Sequence, residues 1–376
     1  MRQPIYADHA ATTPLDKTAF EAMMPWLLNE YGNASQPYTF AKKPKRALAE
    51  ARAIIAECIG ALPEEIYFTS GGTESDNWAI KGSVFGDHQY HTTITSTFEH
   101  HAILHACKAI ETLQWPVIYI QPTRDGLVLP ETLEASIDNH TRLVSVMYAN
   151  NEIGTIQPIK DLCMIAHSYG AVFHTDAVQA VGHVGIDVKQ LGIDMLSASA
   201  HKFNGPKGIG FLYIRQGTKI ASYADGGAQE QGLRAGTENI ASIVGMATAL
   251  KVNCDALESD RQLILNLEKR LINRLRDAGI SYIRNGGSGM LLPGLLSLSF
   301  PGRDGEAILH RMDLMGISIS TGSACDSVNT AISHVLQAIK LDEVFAKGTV
   351  RISLGKDNTE EEVDKIAASL IKILKY

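Results

Sequence analysis

From residue 66 to residue 214 short apolar runs alternate with amphipathic stretches, and few folds accept that rhythm. Strands are predicted over 66–69, 92–96, 117–120, 143–148, 171–175, 195–198 and 209–214. Helices are predicted over 73–85, 101–113, 159–169 and one long stretch, 239–278. Alternation of this kind predicts an α/β fold, with a mainly parallel sheet flanked by helices on both faces. Such sheets carry their sites beyond the carboxyl ends of the strands. Polar residues follow the expected strand ends repeatedly: Ser70-Gly-Gly-Thr73, Glu99-His100, Asn150-Asn-Glu152, Asp176 with Gln179, and Ser199-Ala-His-Lys202. A purely structural sheet has no need of them. The last third changes rhythm, with strand-like 295–300, a helix over 305–315, then 317–320, a Ser/Gly-rich loop, 350–354 and a helix over 359–374. We expect a large domain over 14–256 and a smaller α+β domain built from 1–13 and 257–376.

Lys202 stands between the strand end Asp194-Met-Leu-Ser-Ala-Ser199 and the turn Asn204-Gly-Pro-Lys-Gly208. A lysine there has no evident role on a solvated face. Desolvation lowers an amine's pKa and makes it nucleophilic toward carbonyls. That is the setting of a Schiff-base lysine, and pyridoxal phosphate is the commonest aldehyde held in this way. The segment also reads as a surface turn with a capping Ser/His pair. The other parts of such a site are present, each with a plainer reading. Ser70-Gly-Gly-Thr73 suits a phosphate at a helix start, and equally a simple cap. Asp176 suits a protonated pyridine nitrogen, and equally a turn. Gln179 suits the ring's phenolic oxygen, and His100 suits stacking or proton transfer. Their joint occurrence in this order points to a pyridoxal phosphate site.

Composition narrows the function classes. The 376 residues are 45% hydrophobic and 20% charged, with net charge -7 and no basic cluster. No direct nucleic-acid role is expected from such a balance. The N-terminus has no apolar run, no stretch approaches the length of a membrane span, and a cytoplasmic protein is expected. Five cysteines, none in a C-x-x-C pair, argue against a disulfide framework or a zinc ribbon, and no metal site is expected. Cys58, Cys107, Cys163 and Cys254 fall in helical apolar patterns and read as small buried hydrophobes.

The chain resembles the NifS/IscS-type cysteine desulfurases, in the class V branch of fold-type I pyridoxal phosphate enzymes. The resemblance runs from Tyr6-Ala-Asp-His-Ala-Ala-Thr-Thr13 to Arg351-Ile-Ser-Leu-Gly355. It passes through Thr69-Ser-Gly-Gly-Thr-Glu-Ser-Asp-Asn77, Asn150-Asn-Glu-Ile-Gly154, His174-Thr-Asp-Ala-Val-Gln179, Arg234-Ala-Gly-Thr-Glu-Asn239 and Gly322-Ser-Ala-Cys325. It implies that Lys202 bonds the cofactor's aldehyde and shuttles the Cα proton. It implies that Asp176 pairs with the pyridine nitrogen and Gln179 with the phenolic oxygen. His100 stacks on the ring and helps deprotonate the substrate thiol. Gly72, Thr73, Ser199 and His201 hold the phosphate, and Thr237 reaches the phosphate of a neighbouring subunit in a homodimer. Asn151 and Arg351 bind the carboxylate of L-cysteine. The implied reaction gives L-alanine and a persulfide on Cys325, handed to a sulfur-acceptor protein for iron–sulfur assembly or thiolation.

Cys325 names the reaction, because one fold hosts several chemistries. It sits among small polar residues in Ser320-Thr-Gly-Ser-Ala-Cys-Asp-Ser327, a composition that suits a mobile, exposed loop. A free thiol has a pKa of about 8.5, and Asp326 beside it works against the reactive thiolate. The rival readings are another class V reaction (an aminotransferase, racemase-type enzyme or cysteine lyase) and a non-catalytic sulfur-carrying scaffold. Three features depart from the family. Gly32-Asn-Ala-Ser-Gln-Pro-Tyr38 stands where members usually have Gly-Asn-Pro-Ser-Ser-x-His, and Ser297 where they often have Asn. The chain ends at Tyr376, where longer members carry an extension that docks a scaffold, so that docking mode is not expected here.

Overall fold

The computed structural model describes residues 4–86, 92–287, 289–322 and 332–375. Twelve strands are described: β1 (Ile5–Tyr6), β2 (Ile66–Thr69), β3 (Thr92–Ser96), β4 (Val117–Ile120), β5 (Thr141–Ser145), β6 (Val172–Asp176), β7 (Met195–Ser199), β8 (Gly210–Ile214), β9 (Ile283–Arg284), β10 (Leu295–Ser299), β11 (Ile317–Ser318) and β12 (Thr349–Ser353). Seven of them form one sheet in the order β2-β8-β7-β6-β5-β3-β4. Only β8 runs against its neighbours, so the sheet is mainly parallel.

Period-two burial explains why the central strands form. Neighbouring side chains alternate between two apolar clusters on opposite faces of the sheet. Met195, Leu212 and Ile214 enter one cluster with Trp78 and Ile103. Leu196, Phe211 and Tyr213 enter the other with Phe173 and Phe203. Strands buried on both faces read as continuous apolar runs, and that made them visible in the sequence. The expected strand 143–148 is assigned as Thr141–Ser145. The chain nevertheless keeps its ladder beyond it, with Val146 N bonded to His174 O at 3.2 Å and Tyr148 N to Asp176 O at 2.8 Å.

β10 pairs antiparallel with β12 and with β9, and this small sheet has its own apolar cluster around Leu271, Leu298, Phe300, Ile352 and Leu370. β1 pairs with β11 beside it. The expected single helix over 239–278 is two, Ile240–Asp255 and Leu257–Asp277, meeting at 71°. No Gly or Pro marks the break at Ala256. The first helix buries residues around most of its circumference, Ile243, Met246, Ala249 and Leu250 among them. The second buries one stripe, Ile264, Leu267, Leu271 and Leu275. The bend passes the chain from one core to the other, which is a tertiary demand that helical periodicity does not record. Among the described residues no single helix is long and apolar enough to cross a membrane.

Candidate active site

The strand ends converge on one cleft with an empty volume of ≈ 1200 Å³, counted with the solvent at its mouth. Lys202, Asp176, Gln179 and His100 line it, with Gly72, Thr73, Ser199 and His201 toward one end. Asn151 and Arg351 line it from another side, as does Gly322. Thr237 is exposed and does not line this cleft. Cys325 lies outside the described residues.

Lys202 ends a short 3-10 turn, Ala200–Lys202, directly after β7. The next residue, Phe203, is fully buried and anchors the turn to the core. Asn204 takes a left-handed φ of 62°, fixed by its N–H donating to Thr13 Oγ1 at 2.8 Å and its Nδ2 donating to Pro14 O at 3.0 Å. The turn therefore aims Lys202 at the N-terminal segment, where Nζ donates to Ala10 O at 2.6 Å and Ala11 O at 2.9 Å. Gln179 Nε2 donates to the same Ala10 carbonyl at 2.9 Å. The lysine and the glutamine thus share one acceptor.

The glycine turn lies where close approach is demanded. β7 and β8 pair through Ser199 and Gly210. A Cβ on Gly210 would fall 2.4 Å from Ala198 O and 2.7 Å from Gly71 Cα. Gly71 has φ of 150° and Gly72 touches Val178, where a Cβ would fall 2.5 Å from Cγ2. The helix Gly72–Gly86 begins at this point, so its first-turn N–H groups lack intrahelical partners. Thr73, Ser199 and His201 line the same recess, with Glu74 at its edge, and a helix start of this kind suits an anion. Burial, with the charges of Lys202 and Lys207, pushes His201 down to about 4.

His100 caps the helix His101–Glu111, its Nδ1 accepting from Ala102 N at 3.2 Å. That bond places the ring proton on Nε2. Burial also holds its pKa below the ordinary value. Asp176 closes β6 and accepts from Val178 N at 2.9 Å. Its pKa is raised by burial, with the charges of His100 and Lys202 opposing.

The sequence reading missed Asp76. It is 1% exposed and lines the cleft, and its Oδ1 has no hydrogen-bond partner among the described residues. One ligand atom each from Asp76, His100 and Asp176 lie within 4.8 Å of one another. Burial and the Asp176 charge push Asp76 well above the usual carboxylate range. Two adjacent buried carboxyls do not both ionise, so Asp76 holds a proton beside Asp176. A signal for Asp76 was present, because it lies one helical turn from Gly72 and shares its face.

Glu99 was read only as part of a motif with His100. It is fully buried, accepts from the Ser96 hydroxyl, and takes Met147 N on both oxygens at 3.1 and 3.0 Å. It ties the end of β3 to the chain leaving β5. Burial pushes its pKa from 4.5 up to about 8. A raised carboxyl contributes stability that is complete below its unfolded pKa and is lost as pH rises through the folded one. Glu99→Gln cannot ionise, so it flattens this loss. From pH 4.5 to 8 its unfolding free energy gains on wild type by about 1.4 kcal/mol per pH unit, read from denaturant melts across that range.

Arg351 lies on β12 opposite Ser297, the position where family members often have Asn. It is 3% exposed. Its Nη2 pairs with Asp8 Oδ1 at 2.9 Å, its Nη1 donates to Asn151 O at 2.9 Å, and its Nε has no partner among the described residues. Asn151 therefore meets the guanidinium through its backbone carbonyl. The Asp8 partnership spans 343 residues of sequence and left no local signal.

The donor set would fit pyridoxal phosphate: a helix start with hydroxyls at one end, a buried pair of acids, an amine, and a guanidinium whose Nε has no partner among the described residues. The class-V aminotransferase family model matches residues 5–366. A curated cysteine desulfurase IscS from Dictyoglomus turgidum is 44% identical over 379 residues, covering 100% of this chain and 95% of that protein. A solved NifS-like protein superposes with a TM-score of 0.93 at 36% identity, covering 99% of this chain and 100% of its own. A structure described as SspA in complex with cysteine superposes at 0.83, also at 36% identity, covering 94% of this chain and 100% of its own. With a family match of that span and relatives alike from end to end, the chain belongs to the class-V aminotransferases, in the group of NifS/IscS-type cysteine desulfurases.

Proposed function

We propose that this protein uses pyridoxal phosphate to take sulfur from L-cysteine, releasing L-alanine and leaving a persulfide on Cys325 for an acceptor thiol. The observation that carries the reading is the single cleft lined by Lys202, Asp176, Gln179, His100 and Arg351, whose buried Nε has no partner among the described residues. When bound, the cofactor supplies an aldehyde that condenses with amines and a protonated ring that accepts electron density from the substrate Cα.

The chain's residues do the rest. Lys202 supplies the amine that holds the cofactor and, once displaced, the base that moves the Cα proton. Asp176 keeps the ring nitrogen protonated, and Asp76 stays neutral beside it because two anions there repel. Gln179 orients the phenolic oxygen. Gly72, Thr73, Ser199 and His201 hold the phosphate. His100 covers the ring and presents Nε2–H toward the substrate. This favours donation and stacking, and in this tautomer the base role needs the Ala102 bond to break. Arg351 takes the substrate carboxylate through its guanidinium, whose plane Asp8 and Asn151 O fix.

Cys325 is three residues from Gly322, which lines the cleft. Its thiolate bonds the substrate sulfur as the Cβ–S bond breaks, the bond's electron pair stays on Cβ and takes up a proton to give the methyl of alanine, and an acceptor thiol removes the outer sulfur by exchange. The partner for Thr237 is a second copy of this chain. Supporting that, the helix Lys17–Leu28 presents an apolar outer face with Leu28 73% exposed, and Tyr31 beyond it is 75% exposed.

The deciding experiment supplies L-cysteine and a reductant to the pyridoxal phosphate-loaded protein. Equimolar alanine and sulfide are expected. Pyruvate with ammonia, or transamination without sulfide, would instead assign one of the other class V reactions. Arg351→Lys keeps the charge and loses the planar fork. It raises KM for L-cysteine by about 10–100-fold with a smaller change in kcat, read from initial rates of alanine release.

A further inference from the structure

Glu152, the last residue of the motif Asn150-Asn-Glu152, is 5% exposed and lines the cofactor cleft, as do Gly322 and His334. Asn150 is fully buried and fixes the turn that carries it. Asn150 Oδ1 accepts from Glu152 N at 2.8 Å and from Ile153 N at 3.0 Å, while Asn150 Nδ2 donates to Phe98 O at 3.1 Å. The backbone of Glu152 is thereby pinned to the chain leaving β3.

Its side chain meets the chain on both sides of Cys325. Ahead of Cys325, Gly322 has φ of 92° and comes so near that a Cβ there would fall 2.9 Å from Glu152 Oε2. Gly322 N donates to Ser320 Oγ at 3.2 Å. Ser320 in turn exchanges backbone bonds with Arg351, at 3.0 and 2.6 Å. After Cys325, the Ser333 hydroxyl donates to the same Glu152 Oε2 at 2.5 Å. Ser333 Oγ also accepts from Val335 N at 3.1 Å, capping the helix His334–Ala338, and His334 Nε2 donates to Glu99 O at 2.9 Å. One buried carboxyl oxygen therefore lies against Gly322 and Ser333 together. It belongs to the residue next to Asn151, whose carbonyl holds Arg351 at 2.9 Å.

We propose that Glu152 is a positioning residue for sulfur transfer: it clasps Gly322 and Ser333 together and so delivers the Cys325 thiol to the cleft. The proposal rests on the reading of Cys325 as the group that receives sulfur. A segment tied at both ends explores less space than one tied at a single end, and the effective concentration of what it carries rises. Glu152 acts through the chain and not on the reacting atoms. Its loss therefore leaves substrate binding in place and slows the sulfur step.

The test mixes the pyridoxal phosphate-loaded full chain with sulfur-labelled L-cysteine in a single turnover. Two signals are followed: the change in cofactor absorption as substrate binds, and labelled persulfide on Cys325 after quenching. Glu152→Ala is expected to slow the label about 10–100-fold, while the substrate concentration for half the absorption change moves by less than about 3-fold. Glu152→Gln keeps an acceptor for Ser333 and returns the label rate to within about 3-fold of wild type. Ser333→Ala gives a loss like that of Glu152→Ala, and the double variant loses no more than either, because the two side chains make one contact. Labelling of Glu152→Ala at the wild-type rate, an equal loss in substrate binding, no recovery with glutamine, or additive losses each overturn the proposal. Wild-type protein that takes no label on Cys325 removes instead the reading beneath it, and the proposal with it. If Glu152→Ala does not fold, Gly322→Ala decides, because its Cβ would enter the Glu152 contact. Slowed label with unchanged substrate binding then supports the clasp, and label at the wild-type rate overturns it.

Discussion

Lys202→Ala lowers alanine release from L-cysteine by at least about 10⁴-fold, since one side chain both holds the cofactor and moves the Cα proton. The visible absorption of the lysine-bound cofactor disappears with it. Two readouts are needed, because loss of rate alone also follows from misfolding. The fold should survive: Nζ meets two carbonyls on the wall of an open cleft, where water replaces it. A small added amine, such as methylamine, then restores part of the rate by supplying the missing base. A lysine-linked cofactor spectrum that persists in this variant would assign the bond to another lysine and remove the central role given to this turn.

Cys325→Ala lowers sulfide and alanine release by about 10²–10⁴-fold and leaves the cofactor spectrum as in wild type. The contrast with Lys202→Ala separates a group that receives sulfur from one that holds the ring. The loss in the cysteine variant comes from the absence of any sulfur nucleophile in the cleft. Among the described residues that line it there is no other cysteine. Turnover that continues at the wild-type rate would sink the persulfide step and move the protein toward the lyase-type alternatives. Activity measured against pH adds a check on Asp326, because a neighbouring carboxylate shifts the thiol's ionisation upward. Asp326→Asn therefore extends the acid side of the profile toward lower pH.

Much of the site was legible because each motif is local. Asp176 and Ser199 end strands buried on both faces and Lys202 follows one, and such strands announce themselves as apolar runs. The carboxyl-end rule for parallel sheets then gathers their successors on one edge. His100 was legible as a strand-end residue, yet its cap on the next helix, which sets the tautomer, was not. Asp76 hid inside a run that also reads as an ordinary helix start. Its importance comes from the missing partner of Oδ1 and from Asp176 across the sheet edge.

From the chain alone came the alternation that builds the sheet, the turn that carries the lysine, and the resemblance that names its chemistry. These rest on neighbours within a few residues, where backbone geometry and burial period act directly. Tertiary structure alone decided that Asp8 grips Arg351, that Glu99 ties two strand ends, and that a helix breaks at Ala256. Those contacts join residues far apart in the chain, and packing of one element on another selects them, which no local spacing records.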